Sequence, residues 1–503
     1  MSLQKNIVAN YLGQFYVTLV SIVMVPLYLH YMGAEAYGLV AFFAMMQAWF
    51  QLLDLGLSPT LGREVARHNA GVLGATDLWR MLRAMESVFI GVAVVGAMAA
   101  VCFADVIARK WLNFRQLAIE DVTGALMLMG ITVAMRWVCG IYRSAIWGFE
   151  RQVWLNGFGA AIATLRFVTI IPVFIYVGTG PLVFFSYQLA VSTLELACLA
   201  FKSYRSMPQV SERIEWSLAP LRGVMAFSLT IAFTSSVWVM VTQIDKLVLS
   251  KVLALEQFGF FALGVLVAST VNLVGAPVSQ ALLPRLSKLA AEQDDQGLIN
   301  LYRRATQWVC CAAAPITLGF ALFAEPALWI WTGDRGTAHN VAPIVQLYAV
   351  GNGLLAIAAF QYYLQYAKGD LRLHLIGNIV FAVILVPVLI WAATRYGGVG
   401  AGWVWVGQCS FFAAAWTWLV HRRFAPGMHW RWLASDVLPI WLAVGSVGIL
   451  LDQVGVRSGA GRWGAAATLI VFGTCLIATA VMASRDLRGA VLRQIEAYRP
   501  RVA

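Results

Sequence analysis

Charge is scarce in this sequence. Asp, Glu, Lys and Arg make up 12% of the 503 residues, against about 25% in soluble domains, and 60% of residues are hydrophobic. An ordinary soluble fold is excluded. Long polar stretches are missing as well. The longest, at 63–83, 202–222 and 285–304, have room for short interfacial helices and nothing larger, so no soluble catalytic domain fits. The seven cysteines (Cys102, Cys139, Cys198, Cys310, Cys311, Cys409, Cys475) lie in or beside apolar runs and show neither metal spacing nor a disulfide framework. They read as small packing residues. No Gly-x-x-x-x-Gly-Lys-Ser/Thr loop is present, so energy would have to come from a proton or sodium gradient, the membrane potential or removal of product. No nucleophile–base pair and no metal-spaced cluster stands out. Neither an enzyme nor a bound cofactor or metal is expected.

What the chain does have is apolar runs long enough to cross a bilayer, roughly 17–25 residues each. They fall near 7–31, 37–61, 82–104, 122–146, 156–177, 181–201 and 224–249, then near 257–282, 303–324, 340–366, 373–394, 398–420, 434–451 and 464–482. The expected fold is therefore all-α and membrane-integral, with about fourteen helices. The first run follows only Lys5 and is far longer than a signal-peptide core, so it is read as uncleaved.

An even span count puts both termini on one side. With that side taken as cytoplasmic, 25 Lys and Arg residues fall inside, eight fall outside and three lie within spans. The bias supports cytoplasmic termini. It also accounts for the net charge of +12 through attraction to an anionic leaflet, with no need for nucleic acid. In the tail at 485–503, Leu487, Val491, Leu492, Ile495 and Tyr498 alternate with Arg488, Arg493 and Arg499. Such a pattern suits either a helix lying on the membrane surface or a solvated tail.

A weak internal repeat appears at an offset of 221 residues. It pairs Glu35 with Glu256, Tyr37 with Phe258, Gly38 with Gly259, Ala41 with Ala262 and Arg67 with Lys288. Six spans separate the copies, so both have the same orientation across the membrane. That is a parallel repeat of two six-helix halves, as in transporters that rock around a central site. The expected domains are a first lobe at 1–206, a linker at 207–222 and a second lobe at 223–422. Two accessory helices at 423–484 and the tail at 485–503 complete the chain.

Charges inside spans each need a partner or a wet cavity. Arg136 and Arg143 are seven residues apart, hence on one helix face, and Arg166 lies at a similar depth in the next span. Together they would give a cleft a cationic wall suited to phosphate oxygens. The competing structural reading pairs Arg136 or Arg166 with Glu195. Asn6, Asn10, Gln14, Thr18 and Ser21 form a polar stripe on the first helix, with Gln361 and Gln365 as a smaller one later. These stripes either line the cleft or hydrogen-bond to neighbouring helices. Asp245 is a candidate for binding a coupling ion or for a bond to another helix. Its neighbour Lys246 projects about 100° away around the helix and makes a poor partner. Asp54 is expected to pair with Arg63 or Arg67.

Four segments carry a family resemblance: Gly33-Ala34-Glu35-Ala36-Tyr37-Gly38, Leu53-Asp54-Leu55-Gly56-Leu57, Asp245-Lys246-Leu247-Val248-Leu249-Ser250 and Pro284-Arg285-Leu286-Ser287-Lys288-Leu289. Through them the chain resembles the polysaccharide transporter branch of the multidrug/oligosaccharidyl-lipid/polysaccharide (MOP) exporter superfamily, in particular Wzx-type O-antigen flippases. That resemblance implies two six-helix lobes plus two accessory helices in a bacterial inner membrane. It also implies translocation of undecaprenyl-diphosphate-linked oligosaccharide to the periplasmic leaflet, by ion-coupled antiport. Implied partners are the lipid-linked oligosaccharide, membrane lipids, and a polysaccharide polymerase with its chain-length regulator, the flippase itself acting as a monomer. Lipid II flippases share the architecture and usually begin with an Arg-rich helix, which this chain lacks. Drug exporters of the superfamily favour anionic cavities, which the arginines oppose.

Overall fold

A computed structural model describes residues 3–210, 214, 216–455 and 461–489. Among them every regular element is a helix. That is the expected outcome for a chain whose backbone groups must find partners within their own segment in lipid. Eleven helical runs among the described residues are long and apolar enough to cross a membrane, so the protein is a multi-pass membrane protein. The tail expected over 485–503 lies outside the described residues from 490 onward, and the linker at 207–222 lies outside them in part.

Backbone contacts divide the chain into two units, Met1–Gly259 and Phe260–Ala503. The first holds α1 (Leu3–Val23), α2 (Val25–Phe50), α3 (Leu57–Asn69), α4 (Ala75–Lys110), α5 (Ile119–Gly148), α6 (Gln152–Phe167), α7 (Ile170–Tyr176), α8 (Pro181–Ser206), α9 (Ala219–Val252) and the start of α10 (Leu255–Ala268). The second holds α11 (Gly275–Ala291), α12 (Asp295–Thr332), α13 (Arg335–Ala367), α14 (Arg372–Phe411), α15 (Thr417–Phe424), α16 (Met428–Trp432), α17 (Leu438–Val454) and α18 (Gly461–Ala483). Helices α1 and α9, at the expected spans near 7–31 and 224–249, fall outside the eleven.

Three glycine turns set the helix boundaries. Gly33 (φ 80°, ψ 166°) breaks α2, and the first two expected spans meet there. The second span ends earlier than its composition suggests. Leu55 (φ 47°) and Gly56 (φ 71°) are both left-handed, so the chain turns and α3 begins at Leu57. Residues 55–61 therefore leave the span expected over 37–61. The spans expected near 373–394 and 398–420 form one 53-residue run, Arg372–Phe424. At 1.5 Å per residue it would reach about 80 Å, against about 30 Å of hydrocarbon. Gly397 (φ 60°, ψ −141°) breaks it into two arms.

Small residues let helices approach closely, which is how membrane helices gain packing without a hydrophobic drive between them. In the first unit a Cβ at Gly130 would stand 2.2 Å from the Cβ of Ala100, and one at Gly148 would stand 2.6 Å from the carbonyl of Gly62. These contacts draw α4 and α3 against α5. Around them Leu61, Leu78, Leu82 and Ile141 form a buried core, with Phe89 stacked on Trp137 at 4.3 Å. The second unit packs α12, α13 and α17 around Tyr302, Phe360, Leu364 and Trp432. There the buried Asp436 accepts from Arg303 (2.6 Å) and Gln307 (2.8 Å).

The repeat pair Gly38 and Gly259 also meets within the first unit. A Cβ on Gly38 would lie 2.2 Å from the carbonyl of Leu255, and one on Gly259 would lie 3.1 Å from the backbone nitrogen of Gly38. Beside this contact the buried Glu35 accepts three consecutive backbone N–H groups, from Arg115 (2.6 Å), Gln116 (2.8 Å) and Leu117 (3.1 Å). The same loop, between α4 and α5, also bonds to α9 and α10. Asn113 donates to the carbonyl of Lys251 at 2.9 Å and accepts from the N–H of Leu255 at 2.6 Å.

Candidate functional site

Helices α5, α6 and α8 bring the three arginines together around one carboxylate. Arg136 and Arg143 come from α5 and Arg166 from the end of α6, while Glu195 projects from α8. Glu195 is 1% exposed and pairs with both Arg143 and, at 2.5 Å, Arg166. The structural reading of Glu195 is thus realised, with Arg143 as well as Arg166. One carboxylate against three guanidiniums leaves the cluster a net charge of +2. Arg136 has no carboxylate within salt-bridge distance among the described residues. Its guanidinium sits 5.8 Å from the ring centre of Phe43, an arrangement that stabilises a cation without neutralising it.

Arg136, Arg143 and Glu195 line a cavity of about 320 Å³ with Gln47, Gln51, Asp54 and Ser58. The side chain of Arg143 is 43% exposed and that of Arg166 only 9%. The cluster therefore has a supporting member, Arg166, and two members that line the cavity. Two forked donors beside a cavity can hold a phosphate-like anion through paired N–H···O bonds. Glu195 fixes the position of Arg143 without cancelling the excess charge.

Asp54 does not pair with Arg63 or Arg67 as expected. The left-handed turn at Leu55 and Gly56 points its carboxylate at the first turn of α3, where it accepts from Ser58 Oγ (2.5 Å) and Ser58 N (3.3 Å). Arg67 instead bonds Glu64 at 2.8 Å. Three cavity residues, Gln47, Gln51 and Ser58, went unnoticed in the sequence. A signal was present: Gln47, Gln51, Asp54 and Ser58 are spaced four, three and four apart, the same polar periodicity that marks the first helix.

Elsewhere the polar stripes are used within their own units. Asn10 donates to Gln152 Oε1 at 2.9 Å and accepts from Asn156 at 2.5 Å, holding α1 to α6. Gln14 is exposed, and the side chain of Asn6 lies outside the described residues. Gln361 and Gln365 hydrogen-bond within the second unit. They are 4% and 0% exposed, and Gln365 donates to Gln361 Oε1 (2.6 Å) while accepting from the N–H of His374 at the start of α14 (2.9 Å). Their amides hold a helix joint. Asp245 and Lys246 also differ from expectation. The lysine stem curls back to place its ammonium 3.7 Å from the Asp245 carboxylate and 3.2 Å from the Thr242 carbonyl. Four methylenes span an angle that helix geometry alone sets too wide.

Residues 31–335 match the family model described as "Polysaccharide biosynthesis protein". The chain belongs to this family. A Shigella flexneri relative named "Putative O-antigen transporter" is 18% identical over 84% of this chain and 98% of its own length. Among solved structures, the lipid II flippase MurJ in an inward closed conformation superposes over 97% of this chain and 100% of that one, with a TM-score of 0.74 at 12% identity. An inward-facing MATE-family multidrug resistance transporter of the MOP superfamily aligns over 81% of this chain and 94% of its own, with a TM-score of 0.64 at 13% identity. The fold of this family member is the one that these two solved structures share.

Proposed function

We propose that this protein is a flippase that moves an undecaprenyl-diphosphate-linked oligosaccharide, an O-antigen or exopolysaccharide repeat unit, from the cytoplasmic to the periplasmic leaflet of a bacterial inner membrane. The observation that carries the reading is the arginine cluster with net charge +2 beside a cavity of about 320 Å³. A diphosphate headgroup is the anion that two forked donors in a membrane-embedded cavity suit best. Membership of a polysaccharide biosynthesis family and a flippase-type fold support the same conclusion. In this reading Arg136 and Arg143 hold the diphosphate and Arg166 braces Glu195. Gln14 and Gln47 offer amides to the sugar or its linkage.

The transport cycle is alternating access by the lobes 1–206 and 223–422, with 423–484 as an appendix and both termini in the cytoplasm. A proton or sodium gradient drives it, with Asp245 or Glu195 as the coupling carboxylate. A polymerase and its chain-length regulator consume the product on the far side, and the flippase works as a monomer.

The test is Arg136→Ala in cells that display the polysaccharide. Surface polysaccharide should be lost while the protein stays in the membrane at normal abundance, and normal display would overturn the cationic-site assignment. A lipid II flippase is the alternative favoured by the MurJ superposition. Its signature would be lysis on gene deletion, whereas loss of surface glycan in viable cells supports the O-antigen reading. Raised drug sensitivity with intact glycans would indicate an exporter.

A further inference from the structure

The two arms of the Arg372–Phe424 run enclose a long apolar groove. The arms touch near the Gly397 break, where a Cβ on Gly400 would lie 2.3 Å from the carbonyl of Ala392. They touch again near the opposite end, where a Cβ on Gly377 would lie 2.8 Å from the indole of Trp416. Between these contacts the helices part, leaving a space of about 840 Å³. Ile384, Leu385 and Val388 wall one side, Val404 and Phe411 the other, and Gln408 carries the only amide among the lining residues.

Length identifies the occupant. The lining runs from Val380 to Tyr396 along one arm, about 24 Å at 1.5 Å per residue. Trp391, Tyr396 and Trp403 are each more than half exposed at the Gly397 end. Aromatic residues of this kind gather where a membrane meets water, so the groove starts at an interface. A phospholipid acyl chain fills only its own leaflet, about 15 Å of the roughly 30 Å hydrocarbon core. A single chain filling this groove must continue beyond the midplane, as the long chain of a polyprenyl lipid does. Its walls are too apolar for a sugar or a phosphate.

We propose that this groove holds the polyprenyl chain of the transported lipid. The inference rests on the flippase reading above and adds a hydrocarbon subsite to it, in the second unit and separate from the arginine cavity of the first. The chain lies along α14 while its headgroup is engaged elsewhere, so the lipid stays anchored in the hydrocarbon as its polar end crosses.

The test uses the full-length protein in lipid nanodiscs with a photoactivatable polyprenyl diphosphate, and a photoactivatable phosphatidylglycerol as the second probe. The polyprenyl probe should label peptides within 380–411, and unlabelled polyprenyl diphosphate should compete. Gly407 supplies the variant, because a Cβ there meets nothing within 4 Å and a larger side chain enters the groove without a clash. Gly407→Phe should keep the melting temperature and cut groove labelling at least about tenfold, as a pocket-filling side chain does. Wild-type labelling that the phospholipid probe matches, and that polyprenyl diphosphate fails to displace, would overturn the proposal in favour of two acyl chains from opposite leaflets. Labelling around Arg136 without labelling of the groove would overturn it while leaving the flippase reading standing. Labelling of neither would overturn both.

Discussion

At the scale of single residues, Glu195 decides what the arginine cluster is. A buried carboxylate gripped by two guanidiniums is worth little against an apolar replacement of all three, yet removing one partner strands buried charge. Glu195→Gln should therefore destabilise the protein by about 3–5 kcal/mol, read as a lower melting temperature in detergent. Arg136→Ala should behave differently. Arg136 has no described carboxylate partner and one aromatic contact, so its loss should cost about 1 kcal/mol or less while transport falls to background. If both variants lose stability equally, the division between a braced and a working arginine is wrong. The cluster itself was legible in the sequence, because ionised residues inside apolar runs are few and helical spacing places Arg136 and Arg143 on one face. The allocation of Glu195 was not legible, since three arginines at similar depth offered it equally and only the crossing of α5, α6 and α8 selects two. Gln361 and Gln365 posed the same choice: a polar stripe shows that a face is not lipid-exposed, not whether it meets water or another helix.

At the scale of helices, turn chemistry and close contacts set the boundaries. Gly38→Ala would place a Cβ 2.2 Å from a backbone carbonyl, which neither side can relieve by changing a rotamer. It should lower stability by about 1–3 kcal/mol and loosen the loop that Glu35 holds, seen as faster amide exchange at Arg115, Gln116 and Leu117. The start of α13 titrates. The hydroxyl of Thr337, then the Thr337 and Gly336 backbone N–H groups, hold the Asp334 carboxyl below its ordinary value. A carboxyl held low in the folded state stabilises the protein at pH above its unfolded value, and that contribution fades as pH falls through the folded one. Between about pH 5 and pH 3 the protein should lose a small increment of stability that Asp334→Asn lacks, measurable by comparing the two melting curves. Many span positions followed from hydropathy, but those expected near 7–31 and 224–249 have no counterpart among the eleven runs. The early end of the second span did not follow, because Leu55 is apolar and nothing in its side chain announces a left-handed backbone.

For the whole molecule, orientation rests on the Lys and Arg bias expected from the sequence. It predicts that Arg423→Cys reacts with a membrane-impermeant thiol reagent only after the cytoplasmic face is opened, whereas Arg395→Cys, beside the Gly397 break, reacts in intact spheroplasts. The reverse pattern would invert the topology. The sequence carries its expected repeat only as a faint echo, one short segment recurring at an offset of 221 residues. Helices facing lipid accept almost any apolar residue, so drift erases a repeat everywhere except where geometry forbids change.

Gly38 and Gly259 are such a place. They are counterparts in the repeat, and they touch. Each glycine stands where neighbouring backbone, from Leu255 on one side and Ala34 and Gly38 on the other, leaves no room for a side chain. The two positions share one tight space, so the penalties of substituting both would not simply add.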